Sequence, residues 1–190
     1  MVLKLCDHAN IEQSAFWQKM NSLFAINFPT SLGNIAEVYQ RISTISPLVI
    51  PSLINSMAAE FVLARWLPGE DVDPSSVTAL TIKSLANHIG LMHQQQHPRW
   101  GSLQQPEYTA EDWPRRLKIT LQQQSDSIEQ TVLQQALKQA ELLCENTFVP
   151  IMPDLRWDQF LMQQDKLSAL VDLDAVVYGP RTLEFVLLEY

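Results

Sequence analysis

The chain has 190 residues, 46% of them hydrophobic, and a formal net charge of −8. This length predicts one compact domain with room for two unequal lobes. The acidic balance excludes nucleic acid as the main partner, because phosphate binding needs a basic face. No apolar run approaches the roughly 20 residues of a membrane span, and residues 1–7 lack a signal-peptide core. Cys6 and Cys144 have no metal-ligand spacing, so we expect two unpaired, buried thiols in the reducing cytoplasm, with a disulfide as the alternative.

The first part of the chain predicts a small sheet with one helix. The predicted strands are three apolar runs, at residues 2–6, 35–42 and 60–66. The predicted helix covers residues 11–25, where apolar side chains recur at helical spacing after the capping residue Asn10. The turn Leu67-Pro68-Gly69 ends this part.

The second part of the chain predicts mainly helices, followed by a hairpin. Asp73 and Pro74 can start the first helix, since Asp caps free N–H groups and Pro suits a first turn. The predicted helices lie near residues 73–96, 109–124, 127–145 and 181–189. Strands are expected at residues 148–151, 159–163 and 167–172, the last two joined as a hairpin by the polar turn 164–166. The whole pattern predicts the α+β class with a cleft between the two parts.

Two aspartates near the C-terminal end each follow a short apolar run. Asp154 is followed five positions later by the amide Gln159. Asp172 ends the apolar strand predicted at residues 167–172, and Asp174 lies two positions beyond it. In phosphoryl-transfer sites, one Asp faces the substrate hydroxyl while an amide and a later Asp hold Mg²⁺ on the nucleotide phosphates. We therefore predict Asp154 as catalytic and the other three as metal ligands; the alternative is that the acids only cap loops at strand ends.

Lys4 lies in the middle of an apolar strand, where a cationic head needs a partner or a ligand. Paired with a helix glutamate, such a lysine can hold nucleotide phosphates, and Glu12 is the best candidate partner. The alternative is an edge-strand lysine that points to water. His93 is interpreted as a packing histidine, since no other histidine shares ligand spacing with it.

These motifs resemble the aminoglycoside phosphotransferase family, small-molecule kinases that share the protein-kinase-like fold with choline and fructosamine kinases. Met152-Pro153-Asp154 and Gln159 resemble the family's catalytic loop, His-Gly-Asp, four residues and Asn. Val171-Asp172-Leu173-Asp174, Gly179-Pro180 and Glu184 resemble its metal-binding segment and the acid of the next helix. Upstream, the strand around Lys4, the segment 59–69 and the helix ending at His93 resemble the lysine strand, the hinge and the first helix of the C-lobe.

The resemblance implies a kinase-like fold with two lobes. Residues 1–68 would form a partial N-lobe of strands plus one helix, and residues 69–190 a helical C-lobe with the acidic hairpin. It also implies ATP and Mg²⁺ as cofactors, with Lys4 and Glu12 steadying the nucleotide phosphates. Asp154 would accept the proton of a small-molecule hydroxyl, while Gln159, Asp172 and Asp174 would hold the metal.

The sequence departs from the family at several positions. The His and Gly of the catalytic loop are Met152 and Pro153, and the Asn is Gln159. The five glycines lie at 33, 69, 90, 101 and 179, too scattered to form a phosphate-binding loop. Lys4 follows Met1 too closely for the two strands that normally precede the lysine strand, so we expect either a shortened, divergent relative or a fragment.

Three hypotheses follow from the sequence. The first is an ATP-dependent phosphotransferase acting on a small-molecule hydroxyl, with an acidic cleft that suits a cationic acceptor. The second is a catalytically inactive binding or assembly module, for which the open edge of the first strand predicts a homodimer. The third is a helical protein unrelated to kinases, which predicts that Asp154 and Asp172 lie far apart.

Overall fold

The computed structural model describes residues 1–7, 13–27, 35–123 and 128–188. Six α-helices lie in these ranges: α1 Ala15–Phe24, α2 Ile35–Ile45, α3 Ala79–His93, α4 Asp112–Gln122, α5 Gln130–Ala140 and α6 Arg181–Leu188. The strands are β1 Val2–Leu5, β2 Leu53–Met57, β3 Phe61–Ala64, β4 Glu70–Asp71, β5 Gly101–Ser102, β6 Val149–Ile151, β7 Phe160–Gln163, β8 Lys166–Leu170 and β9 Val177–Gly179. The predicted α+β class is confirmed.

The first sheet is antiparallel, with β3 in the centre between β1 and β2. Lys4 on β1 lies opposite the buried Val62 of β3. Side chains alternate between the two faces of a strand, and on β1 the leucines at 3 and 5 are exposed while Lys4 is half-buried. The charged residue of this strand therefore faces the interior, where it must find a partner.

The strand predicted at residues 35–42 is wrong, because this segment forms helix α2. Its buried side chains, Ile35, Val38, Tyr39 and Ile42, follow the i, i+3, i+4, i+7 spacing of one helical face. The β-branched residues favoured a strand, but burial of this stripe decides the outcome. Two helices therefore precede β2, where the sequence predicted one.

Two further sheets position the acidic loops. One has the order β4-β7-β8 and contains the predicted hairpin, whose turn residues Gln164 and Asp165 both have positive φ, at 51° and 61°. The other has the order β5-β9-β6. Helix α3 packs on β6 and β8, so it connects these two sheets through one core. The largest fully buried side chains of that core include Trp100, Phe148 and Phe160.

Helix α3 begins at a reciprocal cap, where the Thr78 hydroxyl accepts from the N–H of Thr81 and the Thr81 hydroxyl accepts from the N–H of Thr78. The predicted start at Asp73 belongs to a short 3₁₀ turn, Pro74–Ser76, which the Asp73 side chain caps through Ser75. Within the described ranges, no helix is both long and apolar enough to cross a bilayer.

Candidate functional site

A cleft of about 340 Å³ lies between β1 and the loops that follow β6 and β8. In the part of the chain that the structure describes, six charged side chains line it: Lys4, Asp7, Asp154, Arg156, Asp172 and Asp174. They come from the start of the chain and from two loops near its C-terminal end. The cleft therefore brings together the lysine and the acids that the sequence singled out, and the third hypothesis, in which Asp154 and Asp172 lie far apart, is wrong.

Lys4 forms ion pairs with both acids of the loop after β8. Its Nζ lies 2.8 Å from Asp172 Oδ2 and also contacts Asp174 Oδ2. Burial alone would lower the pKa of Lys4, but the neighbouring carboxylates outweigh burial and raise that pKa. The ammonium is therefore held in its charged form by two acids 168 and 170 positions away.

Asp174 is the most buried acid of the cleft, with a side chain only 7% exposed. Burial, followed by the charge of Asp172, raises its pKa to about 7, against the opposing effect of Lys4. Its Oδ1 atom is buried and has no hydrogen-bond partner among the described residues. An unpaired buried carboxylate oxygen is costly, and such atoms mark places where a ligand can bind.

Asp154 follows β6 and Pro153 and is half-buried at the cleft wall. Burial raises the pKa of its carboxyl, and the nearby Arg156 opposes this effect. Arg156 Nη2 lies 3.4 Å from Asp154 Oδ2, and Arg156 Nε lies 3.5 Å from Asp158 Oδ1. A carboxylate with a raised pKa is a stronger base, so Asp154 is suited to accept a proton from a bound hydroxyl.

Gln159 braces the loop that carries Asp154. Its Oε1 atom accepts the N–H of Arg156 at 3.0 Å, and its backbone oxygen accepts the N–H of Val171 at 2.8 Å. The side chain is buried and reaches the cleft. Because a carbonyl oxygen has two lone pairs, one stays available for a further ligand. Gln159 thus connects the Asp154 loop to the strand end that leads to Asp172.

A second carboxylate, Glu184 of α6, lies behind the same loop and is 3% exposed. Its Oε1 accepts the N–H of Met152 at 2.8 Å, and its Oε2 lies 2.6 Å from His93 Nε2. Each oxygen of Glu184 therefore has a hydrogen-bond partner. Through these bonds, helix α6 is connected to the loop that carries Asp154 and to the end of α3. His93 is not only a packing residue, because it orients the acid that holds Met152.

The structure places most of the predicted site residues together. Lys4, Asp154, Gln159, Asp172 and Asp174 all line the cleft, whereas Glu12 lies outside the described residues. The sequence did not identify Arg156 or the partners of Lys4. Its position two residues after Asp154 could have indicated Arg156. The pairing of Lys4 with Asp172, 168 positions away, leaves no local pattern in the sequence.

The oxygen donors of the cleft fit a divalent cation. Mg²⁺ is usually held by one or two carboxylates, with substrate phosphates and water completing its coordination. Asp172 and Asp174 provide the two carboxylates, and the unpaired Oδ1 of Asp174 is a free hard donor. In the described part of the chain, no group of three or more His, Cys, Asp or Glu side chains is placed to hold a metal alone. The donor set therefore suits a cation that also binds phosphate.

The chain is similar to several solved phosphotransferases. The structure of APH(4)-Ia, an aminoglycoside phosphotransferase, matches with a TM-score of 0.62 at 15% identity, covering 82% of this chain and 59% of that one. The macrolide 2′-phosphotransferase MphH from Brachybacterium faecium matches with a TM-score of 0.55 at 12% identity, covering 96% and 61%. The gentamicin complex of APH(2″)-IIa matches with a TM-score of 0.55 at 13% identity, covering 82% and 58%.

These matches confirm the α+β, kinase-like fold. The chain spans about three fifths of the length of these solved structures. No curated protein sequence matches it significantly. The model of the phosphotransferase enzyme family (APH) matches residues 24–188, which is most of the chain and includes both acidic loops. The chain belongs to the phosphotransferase enzyme family.

Proposed function

We propose that this protein transfers a phosphoryl group from ATP to a hydroxyl group of a small molecule. The observation that supports this most is the shared cleft, where a lysine, two half-buried acids (Asp154 and Asp172) and the nearly buried Asp174 meet. Phosphoryl transfer is mostly positioning and charge neutralisation, so these few groups are sufficient in kind. Other solved members were obtained with nucleotide, including an APH(4)-Ia mutant with ADP and hygromycin B.

In this proposal, Asp154 accepts the proton of the acceptor hydroxyl. Its raised pKa and its position at the cleft wall suit this role. Asp172 and Asp174 would hold Mg²⁺, with the second lone pair of Gln159 Oε1 as a further donor. Lys4 would pair with the nucleotide phosphates after leaving the two aspartates, and its pairing with Glu12 stays a prediction. When bound, the metal neutralises the phosphate charge that develops in the transition state.

Charge selects the class of acceptor. Among the described residues, four acids and two cationic side chains line the cleft, so this part of its lining is net negative. The negative potential of these side chains attracts a hydroxyl compound that also carries a protonated amine. We propose a cationic small molecule as the acceptor.

Nucleotide binding is the first test. A ligand that binds only the folded protein stabilises it by about 2.7 kcal/mol at 100 times its Kd, so ATP with Mg²⁺ should raise the melting temperature. The Asp172→Asn variant should lose the Mg²⁺-dependent part of this shift. An unchanged melting curve at millimolar ATP and Mg²⁺ would contradict the proposal and favour the inactive binding module.

Turnover is the second test, measured as ADP release with gentamicin, hygromycin B or a macrolide as acceptor. Loss of a general base usually costs about 10²–10⁴-fold in rate, so Asp154→Asn should lose that much. The matched control is Asp158→Asn, an exposed acid of the same loop, which should stay within a few-fold of wild type. Equal rates for the two variants would remove Asp154 from the mechanism.

Two further expectations stay predictions. Cys6 and Cys144 are unpaired, but the predicted burial of both thiols is wrong, because Cys6 is only partly buried and Cys144 is exposed. We propose a reducing cytoplasmic location for them. The homodimer rests on the exposed apolar side chains of β1, Val2, Leu3 and Leu5. Light scattering at several protein concentrations tests that association.

A further inference from the structure

The ammonium of Lys4 occupies the place between Asp172 and Asp174 that a cation would take. It lies 2.8 Å from Asp172 Oδ2 and contacts Asp174 Oδ2. The backbone between the two acids is fixed as well, since the N–H of Asp174 donates to Asp172 Oδ1 at 3.3 Å. Only Oδ1 of Asp174 lacks a partner among the described residues. The two carboxylates are therefore already neutralised in part from within the protein.

Simple geometry limits how an ammonium and a metal ion could share these oxygens. Mg²⁺ binds its ligand oxygens at about 2.0–2.1 Å, so an ion on Asp172 Oδ2 would lie within about 5 Å of Lys4 Nζ. Repulsion between a divalent ion and an ammonium at that distance is strong where water is scarce. Asp174, with a side chain 7% exposed, is in such a place.

We infer that Lys4 and a divalent cation exclude each other at Asp172 and Asp174, so that Lys4 acts as an internal plug of the metal site. The plug is reversible, because the lysine stem is long and its side chain is 39% exposed. Phosphate groups entering the cleft attract the ammonium away from the acids and add oxygen ligands for the metal. The metal then enters together with the nucleotide and not before it. The inference rests on the proposed function for the identity of the cation.

Binding of Mn²⁺ without nucleotide, followed by electron paramagnetic resonance, tests the plug directly. Lys4→Met removes the ammonium and should bind Mn²⁺ at least about tenfold more tightly than wild type, since one close positive charge is gone. The matched control, Lys118→Met, loses a lysine that pairs with Glu141 in another surface region and should bind as wild type does. Equal Mn²⁺ affinity of Lys4→Met and wild type, or no binding by Lys4→Met, would overturn the inference.

Lysine labelling tests the wild-type protein, and it decides the matter if Lys4→Met does not fold. Reductive methylation read by mass spectrometry should modify Lys4 more slowly than Lys83, an exposed residue of α3. A Mn²⁺ titration into the millimolar range should then speed up labelling of Lys4 several-fold and leave Lys83 unchanged. Constant Lys4 labelling across the titration would overturn the inference. Neither experiment contains nucleotide, so the plug and the phosphotransfer activity can fail independently.

Discussion

The cleft and the layer behind it each contain a buried carboxylate, and the two are in opposite states of hydrogen bonding. Glu184, behind the catalytic-like loop, has both oxygens engaged, by Met152 and by His93. Asp174, in the cleft, has one oxygen on Lys4 and one without a partner among the described residues. Both side chains are less than a tenth exposed.

The difference separates a structural acid from an acid available for chemistry. A buried carboxylate with a partner on each oxygen gains less from a further ligand, so its bonds mainly hold the backbone in place. A buried carboxylate with an unmade bond keeps a cost that a ligand can remove. By this criterion Glu184 supports the loop of Asp154, and Asp174 is prepared to bind.

The largest expected effect is on the structural side of this comparison. Glu184→Ala leaves the N–H of Met152 and the ring of His93 without their buried partner, and such losses cost about 3–5 kcal/mol. Urea unfolding followed by circular dichroism measures the change in free energy. Glu37→Ala, which removes an exposed acid of α2, is the control and should change little. A loss below 1 kcal/mol for Glu184→Ala, by the same scale, would mean that the network behind the loop is not structural.

Asp174→Asn tests the other side through pH. The folded protein holds the Asp174 proton up to a pKa of about 7, whereas the unfolded chain releases it near 3.8. The stability from this group is therefore full below pH 4 and is lost as pH rises through about 7. Asn cannot release a proton, so Asp174→Asn removes this pH dependence. The variant's free energy of unfolding should therefore rise, relative to that of wild type, by about 2–4 kcal/mol as the pH increases from 4 to 8, at 1.36 kcal/mol per pKa unit.

The free energy of unfolding of both proteins, measured in urea across that range, gives the relative change. Asp71→Asn on the exposed strand β4 is the control variant. Parallel curves for wild type and Asp174→Asn would show that Asp174 loses its proton at the same pH in the folded and the unfolded protein, which would contradict the prediction.

His88 is a third buried titratable group, and its contribution to stability changes with pH in the opposite direction to that of Asp174. Burial, together with the charge of His93, lowers its pKa to about 4 from 6.5. Its stability contribution is present above pH 6.5 and is lost as pH falls through about 4. As the pH falls from 6.5 to 4, His88→Gln should lose about 2–3 kcal/mol less stability than wild type does, at 1.36 kcal/mol per pKa unit. His97→Gln is the control, and equal acid sensitivity of the two variants would contradict the prediction.

The smallest effect is expected for an ion pair at the surface. Lys118 pairs with the exposed Glu141 between α4 and α5. Because water and salt screen such a pair, Lys118→Met should leave the urea midpoint within error of wild type. A clear shift in that midpoint would show that the contribution of a carboxylate to stability in this protein depends on its pairing and not on its burial.

The parts of the site that are local in sequence could be predicted. The hairpin, the acid after it and the spacing of Asp154 and Gln159 are short-range patterns. The structure contains the hairpin, and it places Asp154, Gln159 and Asp172 in one cleft. Helix α2 was missed because its β-branched residues favour strands while its burial stripe is helical. Strand β2 was missed because the preceding prolines indicated a turn.

The polar partners could not be predicted, because they depend on folding across the whole chain. Glu184 bonds to a residue 32 positions away and to another 91 positions away. Lys4 pairs with acids 168 and 170 positions later, which no local pattern indicates, while its predicted pairing with Glu12 stays a prediction because Glu12 lies outside the described residues. Sequence patterns report which residues need a partner; only the assembled core determines which partner they receive.

The distance between Lys4 and Asp172 along the chain has a consequence during synthesis. At about 5–20 residues per second, roughly 10–30 s pass between the appearance of Lys4 and that of its acidic partners. Strand β1 leaves the ribosome well before the loop that carries its counter-charges. Throughout that interval Lys4 lacks the ion pairs that it makes with Asp172 and Asp174 in the folded protein, so a chaperone has most to cover at this stage.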